Sequence, residues 1–196
     1  MIEQAARRFL KNGHEAGAAA LAPIAGEIWD ERIVQGRHAR LAPVGKTTAR
    51  PSFSRELAAK VYLRDHFHCR HCSARLMPLG LVALLAELYP KELPYVIYYT
   101  HGKMHPIFWR SVAEADHLLP PGSGGDWYAE DNHVTSCAAC NTRKANYTLA
   151  DLKATLQDVG DLGWDGLLPL YRPLWEAAGK PGSSHGEWLR AFERNA

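Results

Sequence analysis

The chain has 196 residues, 46% of them apolar and 22% charged, with a formal net charge of +2. That length suits one domain, or one domain with helical extensions, and is ample for a buried core. The composition excludes a polycationic histone-like binder and wholesale disorder. Against this background, ten histidines and four cysteines stand out.

From the N-terminus, Glu3, Arg7 and Arg8 lead into no apolar run, so no secretory signal is expected. Residues 1–35 are Ala-rich and read as helical, interrupted at Gly13, Gly17 and Pro23. Residues 36–51, with Gly36, Pro43, Gly45 and Pro51, read as a linker. Ser54 is the expected N-cap of a helix over residues 56–67. Pro78 opens a second helix that stops at Tyr89. Its apolar run holds Glu87 and is too short to span a bilayer. A cytoplasmic protein with reduced thiols is the expectation.

The β-branched and aromatic run 95–100 predicts a strand, residues 101–104 a turn and residues 107–112 the returning strand. His101 and His105 flank that hairpin as surface residues, and Trp109 reads as core. A short strand is expected over 131–135, then helices from Asn141 and over 149–159. Residues 160–196, with Trp164, Trp175 and Trp188, read as a packed cap of short helices.

Every cysteine belongs to one of two matched pairs, Cys69-x-x-Cys72 and Cys137-x-x-Cys140. A two-residue gap lets both thiolates of a turn face one ion, and tetrahedral zinc takes four such ligands. The rival set of Cys69 and Cys72 with His101 and His105 needs a gap far beyond the ~12 residues usual in such fingers. It would also leave the second pair idle. His66, His68 and His71 crowd the first pair and read as basic, solvent-facing residues.

A zinc staple does not explain Asp116-His117-Leu118-Leu119-Pro120 followed by Gly124-Gly125. Neighbours on a strand point to opposite faces, so Asp116 and His117 share a site only near a strand end or bend. The Pro and Gly residues that follow supply that bend. Imidazole is suited to activating water near neutral pH, and a hard cation held by oxygen ligands stabilises a phosphorane.

With Asp131-Asn132-His133-Val134 and Cys140-Asn141-x-x-Lys144 added, the sequence resembles the HNH endonuclease family over roughly residues 66–150. The resemblance implies an α+β fold. Its centre would be a ββα-metal (HNH, treble-clef-like) core stapled by zinc, with helical N- and C-terminal extensions. The implied organisation is an N-terminal extension and linker over 1–50, a nuclease domain over 51–159 with an insertion at 73–110, and a C-terminal cap over 160–196. It implies His117 as general base, and Asp116 and Asn141 as ligands of a catalytic Mg²⁺ or Mn²⁺. Asn132 would brace the loop, and Cys69, Cys72, Cys137 and Cys140 would hold structural Zn²⁺. Asn141 stands where the family takes His or Asn. His133 reads as a strand residue on the opposite face.

The implied substrate is DNA, hydrolysed at its phosphodiester bonds, with restriction or defence against foreign DNA as the commonest setting. Lys144 lies one helical turn after Asn141 and is placed to neutralise a phosphate. Arg143, Arg64 and Arg70 complete the expected nucleic-acid contacts. Residues 46–75 are net positive through Lys46, Arg50, Arg55, Lys60, Arg64, Arg70 and Arg75, whereas residues 158–196 are net negative. No membrane partner or organic cofactor is expected, and a homodimer stays open. The alternatives are a zinc-stapled nucleic-acid-binding module without catalysis and an enzyme using the cysteine pairs in redox chemistry.

Overall fold

The computed structural model describes residues 1–30, 54–96 and 100–196. The expected linker with Lys46 and Arg50 lies outside the described residues, as do residues 97–99 of the expected 95–100 strand. Tyr95, Val96 and Thr100 are not in a strand.

Two helices open the chain, α1 (Ile2–Asn12) and α2 (His14–Leu21). Gly13, at φ 83°, breaks the chain between them, as expected. Gly17 does not interrupt: it lies inside α2, and a Cβ there would come within 1.9 Å of the Tyr89 hydroxyl. Its missing side chain lets α2 close onto Tyr89, which donates to the His14 carbonyl.

Helix α3 (Arg55–Arg64) starts as expected, with the Ser54 hydroxyl accepting from the Leu57 amide at 3.2 Å. It ends earlier than the sequence suggested, because His66 and Phe67 adopt positive φ and turn the chain into the 69–72 knuckle. A bridge between His68 and Arg75 closes that knuckle. Helix α4 (Leu79–Leu88) follows and buries six of its residues.

The expected returning strand is instead a short helix, α5 (Ile107–Arg110). Phe108 and Trp109 are sequence neighbours and both buried. In a surface hairpin strand, whose side chains alternate between core and solvent, one of them would have been exposed. Pro106 at φ −60° suits the entry to a helix.

Strand β1 (Ala113–His117) then pairs antiparallel with β2 (His133–Cys137), with Asp116 opposite Val134 and His117 opposite His133. Helix α6 (Ala138–Lys144) leaves β2 directly. It starts three residues before the expected Asn141, because Cys137 is its N-cap, its sulfur accepting from the Cys140 amide at 3.4 Å. The expected 149–159 helix is the single turn α7 (Leu149–Leu152). A Thr148/Asp151 capping box starts it, and Lys153 in the left-handed region ends it.

Helices α8 (Leu168–Ala177) and α9 (Ser183–Asn195) close the chain, α9 packing on α3 and α8 on α1. The fold is thus mixed, helices around a two-stranded antiparallel sheet. One apolar cluster runs from Ile2 through Leu85 and Val112 to Phe192, so both chain ends contribute to it. No described helix is long and apolar enough to cross a membrane.

Candidate metal centre and the adjoining cleft

The knuckle and the β2–α6 junction bring the four cysteines together, with all four sulfurs within 4.8 Å of one another. Cys69 and Cys137 sulfurs are 3.9 Å apart. Tetrahedral zinc with bonds of ~2.3 Å sets its sulfurs about 3.8 Å apart, so the donor set fits such an ion. Hydrogen bonds from Cys137 first, then Cys140, hold the Cys69 thiol far below its usual range and favour the ligating thiolate. This group could hold a metal such as zinc. The rival Cys₂His₂ set is excluded: His105 is buried elsewhere, its Nε2 2.9 Å from the Ile24 carbonyl oxygen. His105 is therefore not the surface residue the sequence suggested.

Beside this centre lies a cleft of about 470 Å³ lined by Asp116, His117, Trp127, His133, Asn141 and Lys144. Asp116 and His117 meet there because β1 ends at His117. The strand then gives way to a loop whose Leu118 amide bonds to the Asn132 carbonyl. Asn132 ties this loop together, its Oδ1 accepting from the Leu119 amide and its Nδ2 donating to the Leu119 and Asp126 carbonyls. Gly125 passes so close that a Cβ would fall 1.8 Å from the Leu119 oxygen.

His117 Nε2 is buried and has no hydrogen-bond partner among the described residues. The Trp127 ring meets the His117 ring edge-on, with centroids 5.2 Å apart. Burial, and next His133, hold His117 below the ordinary imidazole value, while Asp116 pulls it upward. The His117 and His133 ring centroids are 4.1 Å apart. His133 is thus on the cleft side, not the opposite face. Cross-strand partners share a face, and His133 is the partner of His117. Its Nδ1 is tied to the Ala129 carbonyl.

Asp116 is 4% exposed, and both its oxygens are engaged. Lys144 Nζ sits 2.9 Å from Oδ1, and His71 Nε2 sits 2.9 Å from Oδ2. Lys144, itself 3% exposed, faces this carboxylate and not the solvent where a backbone phosphate would lie. Asn141 donates its amide to Glu114 Oε2 at 2.8 Å, which leaves its oxygen as the cation-competent atom. Glu114, two residues before Asp116 and on the same strand face, was missed from sequence, although the i, i+2 spacing carried the signal.

The remaining basic candidates divide. Arg143 is exposed at the end of α6. Arg64 and Arg70 are both tied to buried Asp65. Arg64 also holds the His133 and Glu130 carbonyls, and Arg70 the Gln157 carbonyl. Of the histidines beside the first cysteine pair, His68 is buried with Nδ1 on the His66 carbonyl, so it too is not solvent-facing.

A scan against models of protein families, a search of curated proteins and a search of solved structures each find no match.

Proposed function

We propose that this chain is an HNH-type endonuclease that hydrolyses DNA phosphodiester bonds with His117 as general base, foreign DNA being the substrate in restriction or defence. The observation that carries the reading is the buried, unpartnered Nε2 of His117 in a cleft it shares with Asp116 and Asn141. The strand–strand–helix succession with a cysteine pair at the end of β2 supports it at the level of fold.

In this mechanism the Trp127 and His133 rings pack against the His117 ring, and its Nε2 lone pair takes the proton of the attacking water. Burial keeps that imidazole neutral, the form a base requires. Asp116 and the oxygen of Asn141 would hold Mg²⁺ or Mn²⁺, which when bound stabilises charge on the phosphorane and the leaving oxygen. Glu114 orients Asn141, and Asn132 holds the loop that carries Trp127. Arg143 is the exposed cation suited to a backbone phosphate.

Plasmid nicking by the zinc-loaded protein in Mg²⁺ or Mn²⁺ tests this, beside an EDTA control and His117→Ala. The expected result is cleavage by the wild type alone, abolished by EDTA. Equal nicking by wild type and variant would refute it. A second reading, a zinc-stapled module that binds DNA without cutting it, draws on the Lys144–Asp116 pair, which neutralises the carboxylate without a divalent ion. It requires DNA retention with no cleavage in any metal.

A further inference from the structure

We infer that the cleft takes DNA with unpaired nucleotides, one base of which stacks on Tyr128 in the cleft wall. This rests on the proposed DNA cleft and narrows its substrate from DNA in general to a strand released from pairing.

Of the described Phe, Trp and Tyr residues, Tyr128 alone is exposed, at 59%. A single exposed aromatic ring means little by itself. This one, however, lines the same cleft as His117. It is also held in place. Asp126 Oδ1 accepts from the Tyr128 amide at 2.7 Å and from the Ala129 amide at 3.2 Å. The Asp126 carbonyl in turn accepts from Asn132 Nδ2. A ring on a tied backbone loses less freedom on binding than one on a loose loop, which suits it as a stacking platform.

The surrounding cleft has the size and chemistry of a nucleotide site. Its volume of about 470 Å³ lies within the ~300–1,000 Å³ range of small-molecule sites and exceeds what a bare phosphate needs. Leu57, Pro120, Pro121 and Trp127 give it apolar walls, and His117 and Asn141 polar ones. Trp127 meets His117 edge-on, so aromatic surface and general base stand together. Arg143, beside Lys144 in the chain and exposed, supplies a positive charge suited to a phosphate backbone, which an apolar peptide would leave unused. In a duplex each base face is covered by its stacked neighbours. Only an unpaired or extruded base can offer its face to Tyr128.

The test is fluorescence anisotropy of a labelled DNA oligonucleotide titrated with the full-length zinc-loaded chain in buffer without Mg²⁺ or Mn²⁺, which reads binding whether or not the protein cuts. The strand is offered single, fully paired, and paired with a bulged nucleotide. Zinc content and melting confirm that each variant is folded. The wild type is expected to bind the single strand and the bulged duplex at least about fivefold more tightly than the paired duplex. Tyr128→Ala should lose that preference by weakening single-strand binding at least about fivefold, whereas Tyr128→Phe, which keeps the ring, should retain it. Equal affinity for single strand and duplex, a preference that survives Tyr128→Ala or is lost in Tyr128→Phe, or no binding to any of the three DNAs would overturn the inference. Cleavage of paired DNA with no binding preference removes this inference and leaves the nuclease reading. A ring-dependent preference without cleavage in any metal supports it and removes the catalytic reading.

Discussion

Asp116 and Lys144 face each other below the cleft, each almost fully buried. Removing one partner of such a pair strands a charge in a low-dielectric site and costs about 3–5 kcal/mol. Lys144→Met should therefore lower the melting temperature clearly in metal-free buffer. Mn²⁺ should raise it more in the variant than in the wild type, because the cation would meet an unneutralised carboxylate. Melting unchanged by the substitution would show that the pair is not a stabilising counter-charge. At this scale the sequence made Asp116 and His117 legible, because the Pro and Gly residues after them define a bent strand end, whereas Asn132 and Asn141 were singled out only through the resemblance. It placed His71 in solvent and His133 on the opposite face, and left Glu114 unread. His71 depends on a contact between segments far apart in sequence, and His133 on a strand register that no local pattern states.

Among elements, the loop between β1 and β2 sets the geometry of the cleft. Asn132→Ala removes all three side-chain hydrogen bonds that brace it. Gly125→Ala drives a methyl group into the Leu119 carbonyl. Both should reduce DNA cleavage at least about tenfold, by misplacing groups that must be aligned for reaction. Zinc content should stay at the wild-type level, as rates and metal analysis of the same preparations would establish. A second element, the segment after α2, is tied to the start of α5 through His105, whose ring bonds both the Ile24 carbonyl and the Ile107 amide. Burial first, opposed by the Ile24 carbonyl and Glu27, holds its pKa below the ordinary 6.5. The unfolded chain then takes up this proton before the folded one. Stability from His105 is complete above pH 6.5 and is lost as the pH falls from there through the lower folded value. His105→Gln should flatten the decline of melting temperature over that acid range. Helices α3 and α4 were legible from a Ser cap and an apolar run. Helix α5 was not, because its β-favouring residues are overridden by the burial of two adjacent aromatics.

For the whole molecule, the cysteine cluster ties the 69–72 knuckle to the β2–α6 junction across residues 73–136. Such a site contributes its binding free energy to folding. Cys137→Ser should lose the metal and unfold or melt well below the wild type, which should carry about one zinc per chain. Equal zinc content and melting in both would remove the cluster as a staple. The cysteine spacing foretold this closure, since it used every thiol in the chain. The integration of both chain ends into one core was not legible, because it arises from packing of α9 on α3 and of α8 on α1. The proposed function turns on one chemical assignment, that the buried, unpartnered Nε2 of His117 removes a proton from water. Chemical rescue of His117→Ala reads this most directly: DNA cleavage in Mn²⁺ is followed with and without added imidazole. The expected result is loss of cleavage in the variant and partial recovery with imidazole, which replaces the missing base. Cleavage by His117→Ala at the wild-type rate without imidazole would contradict it.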